Sequence, residues 1–237
     1  MEKPPKKSTA REITENVVEG AVGLVPFAGG GLAVAFAYAM GYAYNKRMQG
    51  WFDQVAEALT EHEERLDGLS FEDLAQDDGF VDAVIAATRA AQATSSEEKL
   101  DALRNGLLNS LGHDAPSLDE QARFFRLIEQ FTPTHLRLLA FLDDPGAVFD
   151  AEGLQRPDLY MGGRSHLIAQ IPDLRGPDGW IDLISRDLDA ASLTNHGGLN
   201  VTMTGRGLWE TATSALGKRF LAFIRDPRGG VITDGGP

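Results

Sequence analysis

Residues 21–44, AVGLVPFAGGGLAVAFAYAMGYAY, carry no charge, and they constrain the chain more than any other stretch. A run of that length must be buried in protein or set against lipid. Pro26 and the triplet Gly29, Gly30, Gly31 interrupt any single helix through it. The expectation is therefore a helical hairpin, with two arms around a tight turn at 25–31. Its many alanines and glycines allow close backbone approach, in a protein core or in lipid. The second arm alone, 31–44, is too short to span a bilayer. Cations flank the segment, with Lys3, Lys6, Lys7 and Arg11 before it and Lys46 and Arg47 after it, which favours a membrane setting. Buried core and membrane contact both stay open at this point. The residues that would carry contact or assembly are Pro26, Phe27, Gly29, Gly30, Gly31, Phe36, Tyr38 and Tyr42.

From Gly31 the pattern predicts a long helix to Leu66, with Trp51, Val55, Leu59 and Leu66 as its apolar stripe. Its later acids and His62 read as a solvated face. Residues 1–9, rich in Lys and Pro, are expected to be disordered. Ser96 and Ser117, each followed by acids, open amphipathic helices, and another is centred on Val81, Val84 and Ile85. Residues 10–131 thus read as one helical unit containing the apolar hairpin. Thr132-Pro133 opens a new helix that ends at Asp143-Asp144-Pro145-Gly146. Residues 145–164 read as loop, 165–171 as a short helix and 178–193 as a longer one. Around Gly205-Arg206-Gly207 two strand-like runs predict a β-hairpin over 199–213. A last helix covers 214–225, and 226–237 is a Gly/Pro-rich tail.

That order of helices, hairpin and final helix, together with Thr213-Ser214-Ala215-Leu216-Gly217-Lys218-Arg219-Phe220, resembles a winged-helix domain over 132–225. The resemblance implies a small core under the wing, for which Trp209, Phe220 and Ile224 are the candidates. It also implies that the helix at 178–193 would read DNA, with Arg186 and Arg206 as the available contacts. That helix is acidic, however, with Asp182, Asp187 and Asp189 against the single Arg186, and acids there repel phosphates.

The whole chain of 237 residues carries a formal charge of −13, which opposes general polyanion binding. It has no cysteine, so disulfides, thiolate metal sites and cysteine nucleophiles are excluded. His62-Glu63-Glu64-Arg65 lacks the second histidine of a zinc-protease helix. The glycine cluster at 20–31 lacks the Lys-Ser/Thr of a phosphate loop, and no Gly-x-Ser-x-Gly elbow occurs. Acid pairs beside Gly or Pro read as turn chemistry, and His135 as a capping or packing residue. No catalytic, cofactor or metal residues are assigned.

The resulting expectation is a mainly α protein with an N-terminal helical unit, a Gly/Pro-hinged apolar hairpin and a long helix. A winged-helix-like domain with one β-hairpin follows. The expected function is that of a non-enzymatic, bacterial-type interaction protein, cytoplasmic with or without membrane association. Its apolar hairpin would mediate membrane contact or self-assembly with a protein partner. The alternatives are a soluble winged-helix DNA-binding regulator and an enzyme with an inter-domain site.

Overall fold

The computed structural model describes residues 31–62, 70–111, 114–195 and 197–227. These residues are mainly helical. Helix α1 is Gly31–Glu61, α2 Phe71–Leu74, α3 Asp78–Gln92, α4 Glu97–Leu108 and α5 Leu118–Gln130. Then come α6 (Pro133–Asp143), α7 (Pro145–Ala151), α8 (Ser165–Ile168), α9 (Trp180–Ala190) and α10 (Ala215–Ile224). Two short strands, β1 (Met161–Gly162) and β2 (Met203–Thr204), pair antiparallel. The chain divides into two compact units between Ala56 and Glu57.

Local chemistry explains the helix starts. Asp77, Ser96 and Ser117 each accept the backbone N–H three residues on, capping α3, α4 and α5. Helix α6 opens with Pro133 in its first turn and His135 completing a capping box with Thr132. The segment 145–164 departs from the loop expectation in its first third. The Asp144 side chain accepts from Ala147 N at 2.9 Å, and Pro145 takes the first helical position, so α7 forms. The same Asp-Pro pair that stops α6 therefore starts α7.

In the larger unit, α3 packs on α4 and α5, α10 packs on α4 and α6, and α9 lies against α6. The alanine face of α3 (Ala83, Ala87, Ala90 and Ala91) allows the close approach of its neighbours. Aromatic rings fill the space between α5 and α10. Phe124 sits 5.5 Å from Phe220 and 5.2 Å from Phe223, and Phe125 meets Phe223 edge-on at 5.1 Å. Gly106 of α4 is required here, because a Cβ on it would come within 2.8 Å of the Phe223 ring.

The hairpin expected over 199–213 is not formed. Leu208 and Trp209 lie in a 3₁₀ turn, Gly207–Trp209. Strand β2 pairs instead with β1, some forty positions upstream, in the register Met161 opposite Thr204. The antiparallel closure lies further out, as a Thr194–Thr213 bridge. Asn195 N–H donates to Ala212 O and Ser214 N–H to Leu193 O on either side of it. Arg164 is the physical reason for the turn. Its buried guanidinium donates to the carbonyls of Gly207 and Glu210, holding that stretch out of a strand. Gly205 approaches the Leu159 carbonyl too closely for any side chain.

Candidate functional site

The first candidate is the exposed half of α1. Phe36, Tyr38 and Tyr42 are 64%, 62% and 66% exposed, and Met40, Tyr44 and Phe52 are close to half exposed or more. At helical spacing, Phe36, Met40 and Tyr44 fall on one side of α1 and Tyr38 and Tyr42 on the opposite one. The segment is thus apolar around its circumference and covered on neither of those sides. Its only charged residues between 31 and 52 are Lys46 and Arg47, both exposed. Gly31 is the first residue of the helix. Pro26, Phe27, Gly29 and Gly30, and with them the first arm and the hinge, lie outside the described residues. No helix among the described residues is long and apolar enough to cross a membrane.

Further along α1 the stripe turns inward. Trp51, Val55, Ala58, Leu59 and His62 are buried. His62 is therefore no part of a solvated face, as its sequence context implied. Its Nδ1 donates to Ala58 O at 2.8 Å, and its Nε2 faces Asp226 Oδ1 at 3.6 Å. The spacing 55, 59, 62 was the signal for it, since it continues the buried stripe by one more helical step.

The candidates for the winged-helix core differ in their surroundings, with Phe220 and Ile224 one helical step apart on α10 and Trp209 in a 3₁₀ turn. Phe220 is fully buried beside Phe124 and Phe131. Trp209 is half-buried elsewhere, edge-on to Phe149 at 5.1 Å and beneath the Arg156 guanidinium at 5.5 Å. Ile224 is half-buried at the end of α10. The two arginines raised as nucleic-acid contacts are exposed but not shared by one surface feature. Arg206 pairs with Glu210 at 3.6 Å. Arg186 lines a cleft of about 450 Å³ together with Asp182 and Asp189.

A second cleft, of about 570 Å³, lies between α5, the start of α6 and the end of α9. His135 forms part of its wall. The ring stacks on Phe131 at 4.6 Å and accepts the Thr132 N–H at Nδ1, 3.1 Å away. That bond places the ring proton on Nε2, which donates to Asp187 Oδ2 at 3.3 Å. Burial lowers the His135 pKa below the usual imidazole value, and Asp187 opposes the shift. Arg123 and Arg126 stand on α5 at the same cleft. Sequence reading did not single them out, because a pair of surface arginines three apart carries no motif.

Among the described residues, no three His, Cys, Asp or Glu side chains converge as a metal site. No family model, no curated protein and no solved structure matches the chain.

Proposed function

We propose that the protein is a non-enzymatic interaction protein that touches an anionic membrane surface through the exposed half of α1. The observation that carries this reading is the set of exposed aromatics on a half of α1, residues 31–52, that contains no acid. Residues 20–52 contain Lys46 and Arg47 as their only charged side chains, in a chain of net charge −13. An apolar helix bare on opposite sides gains most from an apolar surrounding, and lipid supplies one on every side. Residues 31–44 measure roughly 20 Å as a helix, against about 30 Å for the hydrocarbon layer. The helix suits partial insertion, with Tyr44, Lys46 and Arg47 at headgroup level. Anionic lipid complements those cations where an acidic copy of the same chain does so less well. Residues 132–225 we read as a winged-helix-like unit serving as a protein-facing body. The helix order and the Thr194–Thr213 bridge, which closes a long wing-like loop, support that reading.

Flotation of the full chain with vesicles of phosphatidylglycerol and phosphatidylcholine tests the membrane reading. The expected result is co-flotation that fails with phosphatidylcholine alone and fails for a Phe36→Asp/Tyr42→Asp variant of unchanged melting temperature. A wild-type chain that ignores both vesicles overturns the reading. If that chain instead forms an oligomer that the same variant dissolves, α1 is a self-association helix.

A further inference from the structure

The cleft between α5, α6 and α9 brings two arginines together with a single carboxylate. Several arginines elsewhere are matched to acids, as in Arg104–Asp101, Arg137–Glu98, Arg156–Asp150, Arg219–Glu120 and Arg225–Asp143. Arg123 and Arg126 have no carboxylate partner among the described residues. Arg123 donates only to a backbone carbonyl, that of Ala191 at 2.8 Å, which fixes the guanidinium at the rim. Arg126 stands exposed three residues on, and Gln130 follows at the next helical step, so all three line one side of the cleft. The single carboxylate in the lining, Asp187, already faces the His135 Nε2 proton. The Phe131–His135 stack makes an unyielding wall beside it.

We infer that this cleft binds a small phosphate ester. Two guanidinium groups and an amide supply donors in the planar, forked arrangement that suits phosphoryl oxygens. The volume of about 570 Å³ falls within the range of small-molecule sites, roughly 300–1,000 Å³. Asp187 keeps free lone pairs in the same lining, which suit a hydroxyl or amine donor on the organic part of the ligand. The phosphoryl group belongs either to a soluble metabolite or to a lipid headgroup. The chemistry of recognition is the same for both. None of the residues involved lies on α1, so this site and the membrane helix stand or fall separately.

Calorimetric titration of the full chain with inorganic pyrophosphate at physiological salt tests the site. Saturable binding is expected for the wild type, weakened at least tenfold in Arg126→Gln and partly restored in Arg126→Lys. Arg126 is exposed and unpartnered, so the unliganded melting temperature of Arg126→Gln stays that of the wild type, and lost affinity is not lost fold. Arg225→Gln, on the acid-paired side of the surface, leaves pyrophosphate affinity unchanged. Glycerol phosphate and vesicles of phosphatidic acid then separate the two sources, by which of them competes with pyrophosphate. Absence of saturable binding, or equal affinity in the wild type and in an Arg123→Gln/Arg126→Gln variant, overturns the inference. So does preferential binding of duplex DNA through the same arginines.

Discussion

The hydroxyl of Ser214 donates to the backbone carbonyl of Ser192 at 2.7 Å, tying the residue before α10 to the turn that closes α9. Ser192 is the one described non-glycine residue with positive φ, at 63°. It closes α9 in a Schellman arrangement, in which Ser192 N–H reaches Asp189 O and Leu193 N–H reaches Leu188 O. Left-handed backbone costs a side-chain-bearing residue about 1 kcal/mol. Ser192→Gly is expected to stabilise the protein by about that amount, because the carbonyl that Ser214 uses is retained. Ser214→Ala should cost about 1–2 kcal/mol, since the same hydroxyl also caps α10 at Gly217 N. Urea denaturation of the two variants checks both signs.

Gly217 sits against the carbonyl of Leu193 with no room for a Cβ. Backbone cannot yield as a flexible side chain can, so Gly217→Ala must move α10 away from the Thr194–Thr213 bridge. A loss of about 2 kcal/mol or more is expected in chemical denaturation. Gly50, with nothing near its would-be Cβ, is the control position. Gly50→Ala should leave stability unchanged or raise it by up to about 1 kcal/mol.

Phe220 joins rings from α5 and from the α5–α6 junction within the buried core. Phe220→Ala is expected to cost about 3–5 kcal/mol. The half-buried Ile224→Ala should cost visibly less. Thermal melts that rank the two in the opposite order would place the weight of α10 elsewhere than in the ring cluster.

Most of the helical layout was legible from residues that act locally. Ser96, Ser117 and Ser214 mark helix starts by their own side chains, and the apolar spacing supplies the rest, whereas Asp77, read as turn chemistry, is a cap as well. The wing region was not legible because its geometry is set at a distance. Nothing near Leu208 announces that Arg164 will take the carbonyls of Gly207 and Glu210. Strand β2 likewise pairs with a partner far upstream in sequence. The exposure of Phe36, Tyr38 and Tyr42 was undecidable for a different reason. An apolar helix has the same sequence whether protein or lipid covers it. The Arg123–Arg126 cleft escaped because it depends on which acids the fold leaves out of reach.

His135 gives the protein an acid-sensitive joint. Its folded-state pKa is lowered, first by burial, while the unfolded chain takes up its proton near the usual 6.5. Between the two values the unfolded state holds more protons, so stability rises with pH there. The contribution is complete above about pH 6.5 and is lost as the pH falls toward the folded value. Gln at this position keeps the capping-box chemistry without a titrating ring. The urea midpoint of His135→Gln, followed from about pH 7.5 to about pH 5, should fall less steeply than that of the wild type. Parallel profiles would assign the acid limb to other groups.

Along α1, replacing Trp51, which is 3% exposed, by Ala should cost about 3–5 kcal/mol. Phe36→Ala should stay within about 0.5 kcal/mol of the wild type. Equal losses at the two positions would mean that the aromatic half of the helix is covered in solution.

The side chain of Asn105 donates to the carbonyl of Ile224, 119 positions later, and Asn109 reaches the carbonyls of Phe223 and Arg225 beside it. Helices α3, α4 and α5 emerge in synthesis well before α10, the wall that covers their aromatic side. During translation the rings of Phe124 and Phe125 have no permanent cover until residue 224 has left the ribosome. Local helix formation is fast, but the closing step spans half the chain and is correspondingly slow. The nascent protein therefore spends that interval with an open apolar flank, and chaperones act on such intermediates.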